Sequence, residues 1–529
     1  MSYVSELTNW KFYIDSLNYS SDVTVPHTWN VTKEVMKYRG ECRYETTFIP
    51  EKSLQDKVAV LTFNAVYHTA KVYLNGAYIG EHSRSGYTPF SFDITSKIAF
   101  GKENILTVIV DNTHVDEMLP HDNDFDWADD GGIIRKVFIE YFSQKSVHFA
   151  NVHQVIKNIK GNKCSGYLYF KTNYEGEYEV SILDLKESVV CLKQTIKNEQ
   201  KFEFNDLNLW STDNPYLYLI SIKTENDELV TKIGLRKIET KGEKVFLNDQ
   251  EIFLKGCEWM PGSLPECGMA EPFEHSKFRL KQLKEMGCNF TRFHWQQDDA
   301  IFDWCDENGL LVQEEIPYWG QPKKVGALQI DIAQQQAREM IHYHFNHPSI
   351  IFWGVGNELG GELPETIDYV KNMVAFIKDI DETRLVNYVS NSLSRVENID
   401  KDDATLYGDI VMWNDYLGLW EPTDDVIGHM NRTCLKAKGH PVVVSEFGLC
   451  EPQFSGGDER RCKIIKERLQ LYKHIKNIIG YVWFSLNDYR THCGEAGEDN
   501  YRRRVHGSTD LYGNKKPSFD LFTKLNKKF

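Results

Sequence analysis

No run of apolar residues in this 529-residue chain approaches the roughly 18 that a membrane-spanning helix needs. Basic residues are also in deficit, since 61 Lys and Arg stand against 77 Asp and Glu and leave a net charge of −16. A surface of that sign repels nucleic acid and anionic membranes, which basic patches would attract. We therefore expect no nucleic-acid partner and no membrane partner.

Paired cysteines are lacking too. The eleven cysteines are odd in number, scattered and without a CxxC pair, which indicates reduced structural thiols rather than a disulfide framework. The opening residues, MSYVSELTNWKFYI, show no basic segment followed by an apolar one. We expect a cytoplasmic protein.

Two stretches imitate metal sites without meeting the requirements of one. The three histidines of HYHFNH (342–347) are two and three residues apart, a spacing that scatters them around a helix. HDNDFDWADDGG (121–132) has the spacing of a calcium loop at Asp122, Asp124 and Asp126, but Gly is missing at its sixth position and Glu at its twelfth. An EF-hand is excluded and a looser ion site stays open. We predict no metal centre and no cofactor.

The amino-terminal 240 residues have the pattern of β-structure. VAVLTFNAVYHTAKVYLNGAYIGEH (58–82) alternates apolar and polar residues, and Asn75-Gly76 stands where a tight hairpin needs it. Residues 1–142 are predicted to form a β-sandwich of jelly-roll type. Residues 143–240 again show short alternating strands, over a length that suits an immunoglobulin-like β-sandwich.

From residue 241 to 529 the pattern changes to alternating strands and helices, which predicts a (β/α)₈ barrel as a third domain. An amphipathic helix before the fourth strand is indicated by apolar positions at helical spacing: Ala333, Ala337, Met340, Ile341 and His344. The eight candidate strands are 251–259, 289–295, 310–316, 350–358, 384–390, 409–416, 442–448 and 478–488.

Two glutamates end buried strands of this predicted barrel. Glu358 closes IIFWGVGNE (350–358) and Glu446 lies in VVVSEFG (442–448), at the tips of strands 4 and 7. Carboxylates at the carboxyl ends of barrel strands face one pocket. A pair of them about 5 Å apart is what a retaining glycosidase uses.

The neighbours of the two glutamates suggest a division of roles. Glu358 follows Asn357, whose amide is placed to hold a sugar 2-hydroxyl, so Glu358 is the candidate acid/base and needs a raised pKa. Glu446 is then the nucleophile and must stay ionised beside a cation, for which Arg292 is the candidate. Spacing alone does not decide which carboxylate has which role.

Six motifs spread over nearly the whole chain occur together: VYLNG (72–76), GGIIRKV (131–137), LWSTDNPYLY (209–218), IGLRKIE (233–239), NHPSIIFWGVGNE (346–358) and VVVSEFG (442–448). With these motifs the chain resembles glycoside hydrolase family 2, which contains β-galactosidases, β-glucuronidases and β-mannosidases. The resemblance implies a jelly-roll, an immunoglobulin-like domain and a catalytic barrel, with Glu358 as acid/base and Glu446 as nucleophile.

The same resemblance implies further substrate-binding residues. Asn414 and Tyr416 in WNDYLG match the family's strand-6 asparagine and tyrosine, the tyrosine placed to hydrogen-bond the nucleophile. Trp483 in YVWF matches a tryptophan that floors the sugar subsite, with a core ring as the alternative. Asp126 resembles an aspartate that the jelly-roll domain sends into the barrel mouth, with a solvated loop charge as the alternative.

The chain departs from the family pattern in places that bear on the sugar. Where galactosidases and glucuronidases have G-x-N-x-H, GCEWMP carries Glu258 and Trp259, which is closer to mannosidases and glucosaminidases. FTRFHW nevertheless keeps an Arg-x-His ending in His294, as on the galactosidase side. The Asn-x-Lys that holds a uronate carboxylate is replaced by YRRR (501–504), in which Arg502 is a candidate clamp and a solvated loop the alternative.

The sequence thus predicts an exo-acting retaining β-glycosidase that removes a terminal β-linked sugar from an oligosaccharide or glycoside. Galactose and then mannose come ahead of uronic acids, because Glu258 would disfavour an anionic sugar near the pocket. A β-glucuronidase or β-galacturonidase is the alternative. A carbohydrate-binding protein without catalysis is the alternative from another class, and transglycosylation stays open. The family resemblance also implies a homo-oligomer.

Overall fold

The computed structural model describes residues 3–120, 126–186, 189–320, 325–491 and 502–529, with Arg502 described by its backbone alone. No helix among these residues is long and apolar enough to cross a membrane. The chain divides into two compact units. The first comprises Met1–Thr113, Asp130–Arg236 and Glu339–Pro348, and the second His114–Asp129, Lys237–Arg338 and Ser349–Phe529.

The first unit begins with a β-sandwich of two antiparallel sheets, in the orders β3-β2-β4-β9-β6-β7 and β1-β10-β5-β8. Alternation creates its core, since β6 buries every second residue. The predicted hairpin is present, with Asn75 and Gly76 at φ of +52° and +77° between β6 and β7. The strands are β1 (Tyr3–Glu6), β2 (Asn9–Ile14), β3 (Tyr19–Thr24), β4 (Glu41–Phe48), β5 (Val58–Phe63), β6 (Thr69–Leu74), β7 (Ala77–His82), β8 (Phe90–Asp93), β9 (Asn104–Asp111) and β10 (Val137–Phe142).

A second sandwich in the same unit has a core of its own. Its sheets have the orders β11-β12-β15 and β14-β13-β16-β17, and seven strands in two sheets are the immunoglobulin-like arrangement that was predicted. The core includes Phe170, Ile182 and Ile220. The strands are β11 (Ala150–Lys160), β12 (Lys163–Thr172), β13 (Tyr178–Asp184), β14 (Val189–Ile196), β15 (Phe202–Asn208), β16 (Tyr218–Lys223) and β17 (Glu228–Ile233).

The second unit is built on a closed barrel of eight parallel strands, β21 to β28, in sequence order. A small sheet precedes the barrel and a hairpin follows its last strand. The strands are β18 (Ile238–Lys241), β19 (Lys244–Leu247), β20 (Gln250–Glu251), β21 (Leu254–Cys257), β22 (Phe290–Phe293), β23 (Leu311–Glu315), β24 (Ile350–Asn357), β25 (Leu385–Ser390), β26 (Val411–Asn414), β27 (Val442–Gly448), β28 (Ile478–Phe484), β29 (Tyr489–Thr491) and β30 (Arg502–Arg504).

Each barrel strand lies inside its predicted range, and β24, β27 and β28 are buried at every residue, as helix-covered parallel strands should be. The predicted stripe of α3 is fully buried. The described residues contain the α-helices α1 (Phe273–Glu285), α2 (Asp299–Asn308), α3 (Ala327–His344), α4 (Pro364–Ile380), α5 (Val426–Leu435), α6 (Gly457–Tyr472) and α7 (Pro517–Asn526).

The connection from β25 to β26 departs from the predicted strand–helix alternation. Residues 391–410, all of them described, form two 3₁₀ turns and no α-helix. Buried Asp403 explains the irregular path, because its carboxylate accepts hydrogen bonds from the hydroxyls of Ser390 and Ser392 at 2.9 and 2.7 Å and from the backbone N–H of Thr405 at 3.0 Å. These bonds hold the loop close to the end of β25.

Candidate active site

A pocket of about 490 Å³ opens at the carboxyl ends of the barrel strands, within the second unit. Glu358 and Glu446 both line it. Loops that follow every one of the eight strands contribute to its wall, together with Asp126 and Trp127 from the segment 114–129. The two carboxyls therefore face one cavity, as the strand assignment predicted.

Glu358 follows the last residue of β24 and has a left-handed backbone, with φ of +58°. Its N–H donates to the carbonyl of Val389 at 2.9 Å, and its Oε1 accepts a hydrogen bond from Nδ2 of Asn414 at 2.7 Å. Burial and the charge of Glu446 raise the pKa of Glu358 to about 7, against the opposing influence of Asn414. This carboxyl can hold a proton at neutral pH.

Glu446 on β27 has the opposite environment. Its Oε1 accepts a hydrogen bond from Nη1 of Arg292 at 2.8 Å, and its Oε2 accepts one from the hydroxyl of Tyr416 at 2.9 Å. Burial alone would raise the pKa of Glu446, but the hydrogen bond from His294 and the charges of Arg292 and His294 outweigh it and bring the pKa below its ordinary value. This carboxylate stays ionised.

His294 lies beneath the pocket between two carboxylates. Its Nδ1 makes a short hydrogen bond to Oε1 of Glu258, and its Nε2 lies 3.4 Å from Oε1 of Glu446. Burial lowers the pKa of His294, but the charge and hydrogen bond of Glu258 prevail and raise it to about 10. The imidazole is therefore a cation at neutral pH, beside the carboxylate of Glu446.

Arg292 on β22 is the second buried cation. Its guanidinium makes bonds of 3.0 to 3.3 Å to both oxygens of Glu315 on the neighbouring strand β23 and lies 3.5 Å from Glu258. Gly354 on β24 leaves room for this pair, because a Cβ there would lie 2.7 Å from Cγ of Glu315. The barrel interior thus holds alternating charges that fix Glu446 from below.

On another part of the wall, Asp126 is held by three donors. Its carboxylate accepts hydrogen bonds from the hydroxyls of Tyr489 and Thr491 at 3.0 and 3.1 Å and from Nε of Arg504 at 3.0 Å. Asp126 and Arg504 both line the pocket. Of the predicted arginine run, Arg504 is thus the member at the site, while the side chain of Arg502 lies outside the described residues.

Three family models cover most of the chain. One is described as the sugar binding domain of glycosyl hydrolases family 2 and matches residues 4–141, one as glycosyl hydrolases family 2 and matches residues 133–236, and one as the TIM barrel domain of the same family and matches residues 238–483. A beta-galactosidase of Thermoanaerobacterium thermosulfurigenes is 30% identical over 94% of this chain and 71% of its own length. The chain belongs to glycosyl hydrolases family 2. The predicted family, fold class and enzyme class are thereby confirmed.

Other similar proteins carry a different name. A beta-glucuronidase of Bacteroides fragilis is 28% identical over 80% of this chain and 65% of its own length. The solved structure of a beta-D-glucuronidase from Dictyoglomus thermophilum has a TM-score of 0.90 at 21% identity, covering 100% of this chain and 97% of that one. The likeness to that structure is a likeness of fold.

Not every predicted substrate contact of this family 2 chain lies in the pocket wall. Asn357 and Arg292 are fully buried and touch His294 and Glu446 rather than the cavity. The sequence predicted that Glu258 adds a carboxylate near the sugar, and the structure corrects this prediction. Glu258 is fully buried, and its carboxylate is hydrogen-bonded to His294. Trp259 is likewise buried, with its ring edge against Phe293, and does not line the pocket.

The prediction for Trp483 is wrong by one residue. Trp483 is fully buried, donates from its indole N–H to Ser508 at 2.9 Å and packs against Phe447 and Phe522. Successive side chains of a strand point to opposite faces, so Phe484 is the residue of β28 that lines the pocket. His294, Asn414, Tyr416 and Asp126 do line it, as predicted.

Sequence reasoning missed most of the wall residues. Most of them lie within a dozen residues of the carboxyl end of a strand, a position that many residues without a function share. The missed residues are Trp127, Met260, Trp319, Asn391, Arg395, Trp420, Glu421, Cys450, Gln453, Phe484, Tyr489 and His506.

Ligand atoms of Glu258, His294 and Glu446 lie within 4.8 Å of one another, as a metal site would require. The guanidinium of Arg292 stands among the same carboxylates, 2.8 Å from Glu446 and 3.5 Å from Glu258, and would repel a second cation. We assign no metal to these residues. Asp122 and Asp124 of the calcium-like stretch lie outside the described residues.

Proposed function

We propose that this family 2 glycosidase is an exo-acting, retaining enzyme that removes a terminal β-linked sugar by double displacement. Glu446 is the nucleophile and Glu358 the acid/base. The observation that carries the proposal is the opposite tuning of two carboxyls in one pocket. Arg292 and His294 hold the pKa of Glu446 low, while burial and the charge of Glu446 raise the pKa of Glu358 to about 7.

The first step needs Glu446 in its ionised form and Glu358 in its protonated form. The carboxylate of Glu446 attacks the anomeric carbon and forms a glycosyl ester, while Glu358 gives its proton to the departing oxygen. In the second step Glu358, now ionised, takes a proton from water, which attacks the anomeric carbon and releases Glu446. Tyr416 and Arg292 each donate a hydrogen bond to one carboxylate oxygen of Glu446. These two bonds hold the carboxylate in place for its attack on the sugar.

For the sugar we propose a neutral hexose, as in a β-galactosidase or β-mannosidase. Asp126, Glu358 and Glu446 all bring acidic groups to the pocket, and Arg504 in its wall is bound to Asp126. A uronic acid is the second candidate, favoured by that same guanidinium, because a guanidinium group binds carboxylates through paired hydrogen bonds. The burial of Glu258 removes the argument that it repels an anionic sugar.

Hydrolysis of a set of p-nitrophenyl glycosides tests the proposal, with β-galactoside, β-mannoside, β-glucuronide and β-galacturonide as the first members. Release of nitrophenol from one member should fall by several orders of magnitude in Glu446→Ala, because the covalent route is lost. Turnover that survives this substitution would refute the nucleophile assignment. Binding of oligosaccharides without turnover of any substrate would instead favour a carbohydrate-binding protein.

Three further expectations remain proposals. Domain boundaries near residues 142 and 240 are supported by the separate cores of the two sandwiches and the barrel. A cytoplasmic location is supported by the ten cysteines of the described residues, all free thiols. A homo-oligomer is proposed from the family resemblance alone, and size-exclusion chromatography with light scattering would test it.

A further inference from the structure

Glu358 donates its proton to the leaving group, so the residues beside it decide what that leaving group is. Glu358 follows β24, which lies between β23 and β25 in the barrel, and β26 is the next strand after β25. Besides Tyr416, five residues of the loops after β23, β25 and β26 line the pocket: Trp319, Asn391, Arg395, Trp420 and Glu421. None of the five has a role in the double displacement described above.

Trp420 lines the pocket with an exposed indole ring. Half of the residue, 51%, is exposed, the largest exposure of any tryptophan in the described chain. Its ring makes a T-shaped contact with Phe454, with centroids 4.8 Å apart and planes at 82°. The loop that carries it is closed by bonds from Leu419 N–H and Gly418 N–H to the carbonyls of Tyr416 and Glu421 at 2.9 and 2.7 Å. A held, exposed indole face is a surface for stacking a ring.

Three polar residues, Arg395, Asn391 and Glu421, line the same pocket as this indole. Arg395 has a quarter of its side chain exposed, and its one ion-pair contact among the described residues is to Glu362 at 3.6 Å. Glu421 accepts a hydrogen bond from the hydroxyl of Ser394 at 2.7 Å through one oxygen, while its other oxygen has no partner within the described part of the chain. The same is true of the side-chain oxygen of Asn391.

An exposed indole and polar side chains in one pocket distinguish an apolar leaving group from a sugar. An apolar group stacked on Trp420 would remove water from Arg395 and Glu421 and offer them nothing in return, at a cost for each polar group left without a bond. A pyranose has an apolar face for the indole and hydroxyls that both donate and accept. It can satisfy a guanidinium and a carboxyl on one ring.

We propose that Trp420, Arg395, Asn391 and Glu421 form a leaving-group subsite for a second pyranose ring, so that the substrate is an oligosaccharide rather than a glycoside of an apolar alcohol. Trp420 stacks on the ring, and the three polar side chains bind its hydroxyls. The inference rests on the proposed function, because only a glycosidase has a leaving group to bind.

The test compares three substrates with the one glycone that the nitrophenyl set identifies. A glycosyl fluoride has a leaving group too small to reach the subsite, a disaccharide fills it with a sugar, and an octyl glycoside fills it with an alkyl chain. In Trp420→Ala we expect kcat/KM for the disaccharide to fall about tenfold or more, the loss of one aromatic contact. The fluoride should stay within about twofold of the wild type, since that reaction does not use the subsite.

Arg395→Ala should lower kcat/KM for the disaccharide and spare the fluoride and the octyl glycoside. Tyr512→Ala, which removes another half-exposed aromatic ring on a different loop, is the matched control and should change none of the three. Trp420→Phe keeps an aromatic face and should restore most of the activity on the disaccharide. That rescue separates stacking from a general effect on folding.

Two results would overturn the inference. Equal loss on the fluoride and the disaccharide would mean that Trp420 supports the chemistry or the fold. Equal loss on the octyl glycoside and the disaccharide, with Arg395→Ala harmless to both, would assign the surface to apolar leaving groups. If the wild type hydrolyses no glycosyl fluoride, the proposed function is refuted instead. The subsite can still be measured in that case by calorimetric binding of a disaccharide to Glu446→Ala, with and without Trp420→Ala.

Discussion

The charge of His294 offers a sharp test of the site, because one buried carboxylate sustains it. The pKa of His294 is about 10 against an ordinary value of 6.5, which corresponds to about 5 kcal/mol in favour of the imidazolium. The charge and hydrogen bond of Glu258 supply most of this preference, and burial and Arg292 oppose it. Glu258→Gln keeps the size of the side chain and an acceptor oxygen but removes the charge. The pKa of His294 should then fall to 6.5 or below.

The loss of the positive charge of His294 should be visible in the pH dependence of kcat/KM. In the wild type Glu446 has two cations beside it at neutral pH, and in Glu258→Gln it has Arg292 alone. Losing one adjacent cation raises the pKa of a carboxylate by about 1–3, so the acid limb of the profile should move upward by that amount. The alkaline limb, set by the proton on Glu358, should also move upward, because the charge of His294 is one of those that lower the pKa of Glu358.

Stability gives a second readout with a defined sign. His294 has its pKa raised by folding, so its contribution is complete below pH 6.5 and is lost as the pH rises through about 10. The difference in Tm between wild type and Glu258→Gln should shrink over that window. Glu271→Gln, at a buried carboxyl bonded to the backbone of Gly262 and Leu264, is the control and should leave the profile unchanged. An unmoved acid limb in Glu258→Gln would refute the reasoning.

Three more outcomes are expected. Glu358→Gln should lower kcat about 10²- to 10⁴-fold on substrates with poor leaving groups and much less on glycosyl fluorides, which need no proton; equal losses would contradict its role as the acid. The alkaline limb of wild-type kcat/KM should fall near pH 7, where Glu358 loses its proton, and a limb above pH 9 would contradict that assignment. Trp483→Phe should lower Tm and leave KM unchanged, because Trp483 is a core residue, whereas Phe484→Ala should raise KM, because Phe484 lines the pocket. Thermal melts and steady-state kinetics measure the two effects, and a raised KM in Trp483→Phe with an unchanged KM in Phe484→Ala would contradict the assignment.

The barrel could be predicted because its strands are short, mostly apolar runs, several of which end at a polar residue such as Glu315, Asn357, Ser390 or Asn414. Glu358 and Glu446 stand at or just beyond the ends of their strands, and the two partners of Glu446, Arg292 and Tyr416, lie at the ends of β22 and β26. Hydrophobic periodicity locates these positions without any knowledge of the tertiary contacts.

The faces of the buried strands could not be read in the same way. β28 is buried at all seven residues, so it has no alternation to show whether Trp483 or Phe484 points inward. Glu258 is hydrogen-bonded to His294, which is 36 positions away in the chain. In the sequence, a carboxylate near a predicted pocket looks the same whether it faces a sugar or an imidazole. Trp420 and Arg395 lie on loops whose path depends on buried polar contacts such as those of Asp403.

The left-handed backbone of Glu358 means that this position is not optimised for stability. For a residue with a Cβ that conformation costs about 1–2 kcal/mol, and burial of its carboxyl adds a penalty that the raised pKa reflects. Glycine at 358 would relieve both and lose only part of the gain to backbone entropy, about 0.5–1 kcal/mol. Selection of variants for heat resistance alone would therefore tend to discard the acid/base, and laboratory evolution of this enzyme must score turnover at every round.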